Sequence, residues 1–226
     1  MPTPPPPADL GEAMRVLLAR RSAALEGGAE AVGWKIGINV PALQELFGLS
    51  GPVVGYLTDA TVMAAGSPVE IASWDHPALE VEVAIRVGAD GGVAALAPAL
   101  ELVDLNLPFD RIEPILAGNV FHRGVIFGPE IGVEEAGGLV AGLNGLVEDL
   151  TVEVFGGGSS LATGRLSEAP SVTVSVVRSF LESHGASLEP GQRIIAGSLI
   201  APMAISPDDD LSVSFGRLGS LDVSFC

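Results

Sequence analysis

Residues 79–87, LEVEVAIRV, alternate in strict period two. That is the period of a strand and not of a helix, so this stretch belongs in a sheet. Leu79, Val81 and Val83 then share one face, and Glu80 and Glu82 share the other. Two carboxylates on one face of a strand lie about 6–7 Å apart and repel each other. An isolated E-x-E of this kind is satisfied by a face that looks into water. A second apolar strand shifts the balance, because PALELVDLNLP (98–108) carries Glu101 among apolar neighbours. A buried carboxylate needs a partner, and the chain offers 11 Lys and Arg against 28 Asp and Glu. A divalent cation would serve three carboxylates at once, and an all-oxygen ligand set selects Mg²⁺ or Mn²⁺ over zinc.

The strand-like texture runs from about residue 52 onward, as short runs of Val, Ile and Leu divided by Gly and Pro. With 29 Gly, 17 Pro and 5% aromatic residues, the composition favours many turns and short strands over a helical bundle. LTVEVFGGGSSLAT (150–163) reads as a hairpin about Gly156–Gly158, and the segment from Gly191 to the end as three or four strands. Helical spacing appears in three places. The first is 8–30, with Leu10, Met14, Leu17, Leu18 and Leu25, ending at Gly27-Gly28. The second is ALQELF after Pro41, ending at Gly48. The third is 171–185, with Ser171 as N-cap and Gly185 past its end. The proline-rich residues 1–7 read as a disordered tail, and there is no internal repeat. The fold class is therefore α+β: an N-terminal tail and helical segment (1–50) and a strand-rich body (51–226), together of one-domain size.

A net charge of −17 repels phosphate backbones and anionic headgroups, which argues against nucleic acid and membrane surfaces as partners. Residues 194–207 are uncharged, but Gly197, Ser198, Pro202 and Pro207 interrupt them and they are too short to span a bilayer. The N-terminus lacks a basic region followed by an apolar core, so no signal peptide is expected. Cys226 is the sole cysteine, which excludes an internal disulfide and a cysteine-based metal cluster. A soluble cytoplasmic protein is the expectation.

Lys35, in VGWKIGINV (32–40), is the only lysine beside ten arginines. An ammonium can lose its proton when desolvated, whereas a guanidinium effectively cannot, so a lysine can move protons or neutralise a substrate carboxylate. The plainer alternative is a stem lying along Trp34 with its head in water.

In their order, these segments resemble the hydratase and decarboxylase branch of the fumarylacetoacetate hydrolase superfamily, which includes 2-oxopent-4-enoate hydratases and 4-oxalocrotonate decarboxylases. The resemblance covers roughly residues 30–226. GWKIGINVPALQELFG is similar to the branch's W-K-[IV]-G segment and following helix, GPVVGYLTD to its P-D-[FY]-G-x-L segment, and ALEVEVAIRVG to its E-x-E strand. PALELVD is close to the third-glutamate strand, LAGNVFHRGVIFG to a V-A-D-N-A-S-S-x-x-F-V-L-G stretch, and IIAGSLIAP and FGRLGSLDVSF to a G-S-L turn and the closing strand.

The resemblance implies a mixed β-roll or barrel-like body of the fumarylacetoacetase C-terminal type. It also implies one Mg²⁺ or Mn²⁺ on Glu80, Glu82 and Glu101, Lys35 as the active-site lysine, a small 2-oxo acid substrate and a homo-oligomer. A complex with a partner enzyme of the same pathway is compatible with it. Several positions depart from the pattern. The P-D-[FY]-G aspartate falls on Val53, the first serine column on Phe121, and the aspartate before the retained Asn119 on Gly118. His122 occupies the second serine column and is the candidate general acid or base; Asp59, further along the same segment, is a candidate substitute for the lost aspartate. The implied substrate contacts are thus Asn119, Phe121, Val53 and Ser198, although Ser198 would equally serve to close a turn. His76 reads as a turn residue paired with Asp75, and His184 as a solvated helix-end residue.

The implied activity is that of a lyase. A 2-oxo or 2-hydroxydienoate acid would chelate the metal, which stabilises an enolate during hydration or decarboxylation while Lys35 moves the proton. The alternatives are a C–C bond hydrolase with His122 activating water, or a catalytically weak partner or binding subunit that keeps the metal site.

Overall fold

The computed structural model describes residues 10–132 and 150–226. The proline-rich tail 1–7 lies outside the described residues. Helix α1 (Gly11–Glu26) buries Ala13, Met14 and Leu17 on one stripe and stops at Gly27, with Gly28 at φ +99° where a side chain would strain the backbone. Strand β1 (Ala31–Gly37) follows, then α2 (Pro41–Phe47), which has proline in its first turn and a left-handed Gly48 as its stop. Next come β2 (Val53–Thr58), a 3₁₀ turn at Asp59–Thr61, β3 (Val62–Met63), and the long strands β4 (Pro77–Val87) and β5 (Val93–Asp104). A short helix α3 (Ile112–Ala117) leads to β6 (His122–Phe127) and β7 (Ile131–Gly132).

The later segment holds the hairpin β8 (Thr151–Gly156) and β9 (Ser159–Arg165), turning on left-handed Gly157 and Gly158 as a two-residue turn requires. Helix α4 (Pro170–Ser183) starts earlier than Ser171 would place it. Pro170 takes the first helical position, for which its fixed φ and missing N–H are suited, and Ala169 precedes it, so Ser171 lies inside the first turn. Four strands close the chain: β10 (Arg193–Ile195), β11 (Met203–Ala204), β12 (Asp210–Ser214) and β13 (Ser220–Ser224).

Among the described residues the strands form a curled nine-stranded sheet, with a main path β2-β1-β10-β4-β5-β6-β3, and a four-stranded sheet β13-β12-β8-β9. The main core lies between them. Trp34, Val81, Val83, Ile85, Leu100 and Leu102 from the larger sheet meet Val152, Val154, Val213 and Val223 from the smaller one, and Val174, Val177 and Leu181 of α4. The opposite face of the larger sheet is floored by small residues, Ala84, Ala97 and Ala99, with Leu57, Val125 and Ile195. Glu80 and Glu82 belong to that second face, because they alternate with the core residues of β4. Strand β1, from the N-terminal 1–50 segment, lies inside the larger sheet, antiparallel to β2 and parallel to β10.

Candidate metal and substrate site

Glu80 on β4 pairs directly with Glu101 on β5, which in turn pairs with Val125 on β6. Glu82 stands one step along β4, so ligand oxygens of Glu80, Glu82 and Glu101 all fall within 4.8 Å of one another. Glu82 and Glu101 are fully buried and Glu80 is half-buried. Lys35 reaches the cluster across the sheet: its strand position pairs with Ile195 of β10, which pairs with Ala84 of β4. It is buried, with Nζ 2.5 Å from Glu101 Oε1, and donates to the Val120 carbonyl at 3.0 Å. Two of the three ammonium donors are thereby engaged. Gly55, the strand neighbour of Lys35, makes the passage possible: a Cβ there would stand 2.7 Å from Asn119 Oδ1 and 2.9 Å from Lys35 Cγ.

The electrostatics of this cluster are unbalanced. Three ionised carboxylates against one ammonium leave two negative charges in a buried place. Burial, and then the charge of Glu101, push the Glu80 carboxyl up to about 7 against the pull of Lys35. Burial and the same neighbours hold Glu82 well above the usual carboxylate range, opposed by Lys35 and by the Gly197 amide, which donates to Glu82 Oε2 at 2.8 Å. Burial also works to raise Glu101, but the Lys35 ammonium and the His122 hydrogen bond outweigh it and hold it low. Lys35 is held above its ordinary value, burial being outweighed by the carboxylates, chiefly Glu101. Glu82 Oε1 and Glu101 Oε2 are buried without a hydrogen-bond partner. An orphaned buried carboxylate oxygen costs several kcal/mol, of order ~1–3 or more per group, and a dication bound between the three side chains would satisfy both oxygens and cancel the excess charge. The donor set fits a hard divalent cation.

The remaining sequence-selected residues divide into those on the cavity and those off it. A cavity of about 520 Å³ is lined by Lys35, Glu80, Phe121 and Ser198, together with Ile38, Val40, Leu43 and Phe109. Ser198 Oγ accepts from the Val81 amide at 3.2 Å, so its hydroxyl proton is free to point elsewhere. His122 is not on the wall. Its Nδ1 lies 2.7 Å from Glu101 Oε1 and its Nε2 2.9 Å from Thr61 Oγ1, in a place where burial lowers its pKa despite the carboxylate. Nδ1–H donates to Glu101 and steers that carboxylate from behind, and the Thr61 hydroxyl, which also donates to the Thr58 carbonyl at 3.1 Å, lies against Nε2. The water-activating base of a hydrolase is therefore not presented to the cavity by His122.

Asn119 is likewise engaged elsewhere. Its Oδ1 accepts from the Tyr56 amide at 2.8 Å and its Nδ2 donates to the Tyr56 carbonyl at 3.0 Å, so it staples the turn before β6 to β2. Val53 is fully buried in the core beside Phe121 and Val120, away from the cavity lining. Asp59 accepts from the Glu30 amide at an exposed turn, also off the lining. His76 donates through its backbone amide to Asp104, and His184 is half-buried against Phe180, with Nδ1 2.8 Å from the Phe180 carbonyl, in place of full solvation.

Sequence reasoning missed a strained turn that sets up the whole site. Asn119, Val120 and Phe121 have φ of 64°, 52° and 64°. Asparagine enters the left-handed region readily, but a β-branched residue there is an outlier, and such strain persists where the surroundings over-determine it. The turn aims Phe121 into the cavity, turns the Val120 carbonyl to Lys35 and sets His122 behind Glu101. Only the asparagine hinted at it.

No family model matches the chain. A 4-oxalocrotonate decarboxylase of Pseudomonas sp. is 27% identical over 96% of this chain and 86% of its own length. The 2-oxo-hept-4-ene-1,7-dioate hydratase of Escherichia coli is 26% identical over 85% of this chain and 78% of its own. The solved 4-oxalocrotonate decarboxylase of Pseudomonas putida G7, complexed with magnesium and adipate, superposes with a TM-score of 0.84 at 21% identity, over 96% of this chain and 86% of that one. The chain is thus similar, along most of its length, to decarboxylases and hydratases of 2-oxo acids, and shares the fold of the solved decarboxylase. Its α+β architecture and curled sheet match those of that solved structure.

Proposed function

We propose that this protein is a divalent-metal-dependent lyase, a hydratase or decarboxylase acting on a 2-oxo or 2-hydroxydienoate acid. The observation that carries this reading is the trio Glu80, Glu82 and Glu101, with two orphaned oxygens, beside a buried lysine at the wall of an apolar cavity. Glu80, Glu82 and Glu101 would hold Mg²⁺ or Mn²⁺, which would supply positive charge to stabilise the negative charge that develops on such an acid. Lys35 brings its remaining N–H to the same cavity, where it neutralises substrate charge or carries a proton. Ser198 offers a hydroxyl donor, and the apolar wall keeps water from competing. His122 acts as a positioning residue through its hydrogen bond to Glu101.

Turnover of small 2-oxo and 2-hydroxydienoate acids with and without Mg²⁺ tests the activity. Glu82→Gln keeps the shape of the site and removes one ligand charge, so the rise in melting temperature on adding Mg²⁺ should largely disappear. A variant with all three glutamates changed to glutamine that binds Mg²⁺ like the parent sinks the site. A metal-binding chain that turns over none of these acids would instead be a partner or binding subunit.

The same reading includes a homo-oligomer, since Leu46, Leu161 and Val172, away from the cavity, leave large apolar side chains exposed. Light scattering at micromolar concentration should give a mass above one chain; a monomer rejects it.

A further inference from the structure

Phe121 stands where the superfamily resemblance places a polar serine, and its neighbours make the change part of a pattern. The Phe121 ring is buried in the cavity wall and lies 5.2 Å from that of Phe109, which lies 6.5 Å from Phe47. Phe109 is 41% exposed and Val40 on the same wall is 49% exposed, so the apolar row runs from the interior out to the mouth. Opposite polarity is confined to a few groups: Lys35, Glu80, Ser198, Thr163 and Asn39. Lys35 is the sole cation on the lining, and it is already paired with Glu101. All ten arginines and all three histidines lie among the described residues, and none of them lines this cavity; residues 133–149 contain no basic side chain.

We propose that the acid taken here carries a single carboxylate and an extended apolar tail, which packs along Phe121 and Phe109. This rests on the 2-oxo acid reading above and names the substrate class within it. The carboxylate and keto oxygens belong at the Lys35 and glutamate end, where the charges are. A second carboxylate at the far end of the tail would be stripped of water against phenylalanine, valine and leucine side chains with no cation to receive it, which is unfavourable. A tail of carbon atoms covers the same surface favourably and hides the apolar rim that water meets in its absence. A rival cation is Arg165. It is exposed in a neighbouring cavity that shares Ile36, Asn39, Ser198 and Leu199 with this one, where Glu168 accompanies it.

The test is calorimetric binding of a ligand series to the full chain loaded with Mg²⁺: pyruvate, 2-oxohexanoate, 4-phenyl-2-oxobutanoate and 2-oxoadipate. Affinity should rise about fourfold for each added methylene between pyruvate and 2-oxohexanoate. The phenyl acid should bind tightest, and 2-oxoadipate about tenfold or more weaker than 2-oxohexanoate, which it matches in length. Phe121→Ala should flatten the series, so that 2-oxohexanoate loses most of its advantage over pyruvate, while the Mg²⁺-dependent rise in melting temperature persists. Phe109→Ala, at the exposed mouth where folding is not at stake, should weaken only the longer acids. The inference is overturned if 2-oxoadipate binds as tightly as 2-oxohexanoate; Arg165→Ala then tells whether that arginine or one from a second copy receives it. It is also overturned if every acid binds like pyruvate, since the tail is then not in the cavity. Failure of all four acids to bind the metal-loaded chain overturns the 2-oxo acid reading itself.

Discussion

Lys35 threads a slot too narrow for most side chains, between the backbone of Gly55 and the Val120 carbonyl, to end at Glu101. The slot accepts a slender tetramethylene stem, whereas a guanidinium is planar and wide and holds its proton. Lys35→Arg and Lys35→Met should therefore both abolish turnover. Lys35→Met should also cost about 3 kcal/mol in the metal-free protein, because it leaves Glu101 buried with only His122 beside it. Mg²⁺ affinity should survive both changes, since neither removes a carboxylate. An Arg variant with most of the parental rate would reduce Lys35 to an electrostatic role, and unaltered rates in both would remove it from the chemistry. Lys35 was legible in the sequence because it is the one lysine, and the glutamates because period two and apolar neighbours placed them. The parts taken by His122 and Asn119 were not. Which polar atom a side chain satisfies depends on partners such as Thr61 and Tyr56, 61 and 63 residues away, that leave no local mark.

Elements with a periodic face and a glycine or proline at their ends were legible for a physical reason: burial of one face and backbone permissiveness at the stop are both local. Helices α1 and α2 and the hairpin on Gly157-Gly158 follow that rule, and the start of α4 departs from it only because Pro170 outbids a serine cap. The left-handed turn at Asn119–Phe121 is the opposite case. Local preference argues against valine and phenylalanine there, and tertiary contacts override it. Four backbone bonds, from Gly118, Asn119, Val120 and His122, tie the turn to α3 and to itself, and the Asn119 side chain ties it to β2. Asn119→Ala removes both ties to Tyr56 and leaves its amide and carbonyl short of partners. It should cost about 2–4 kcal/mol, read as a shift of the urea midpoint, and should loosen Phe121 and the Val120 carbonyl together. A loss under about 0.5 kcal/mol, the range of a neutral surface change, would mean that the turn holds itself.

At the scale of the whole molecule, fold class was legible from texture, while strand order was not. The parallel pairing of β1 with β10 joins Gly33 to Arg193 across most of the chain, and a Cβ on Gly33 would stand 1.8 Å from the Arg193 carbonyl oxygen. That long-range closure brings Lys35 to carboxylates that, without a cation, work against folding, and the consequence is a pH dependence with a definite sign. The Glu80 carboxyl is pushed up to about 7 in the folded chain, against about 4.3 in an unfolded one. A raised folded pKa means that the folded state binds the proton more tightly. Its contribution is thus fully present below about 4.3 and is lost as pH rises through 7, a difference of roughly 4 kcal/mol. Glu82 adds to it in the same direction. Asp104 works with the opposite sign in a lower window: burial opposes its ionisation, but the His76 amide and Arg123 guanidinium outweigh this and hold its carboxyl low. Its contribution is present above about 3.9 and is lost as pH falls through its depressed folded value. The metal-free chain should therefore melt at progressively lower temperature between about pH 5 and pH 8, beyond the drop caused by its net charge of −17. Glu80→Gln isolates the effect, because the amide does not titrate and its curve should be flatter than the parent's. Saturating Mg²⁺ should reverse the parental trend, since a cation binds the deprotonated carboxylates and displaces their protons. Parallel melting curves for the parent and Glu80→Gln in EDTA would show that Glu80 does not carry this charge burden.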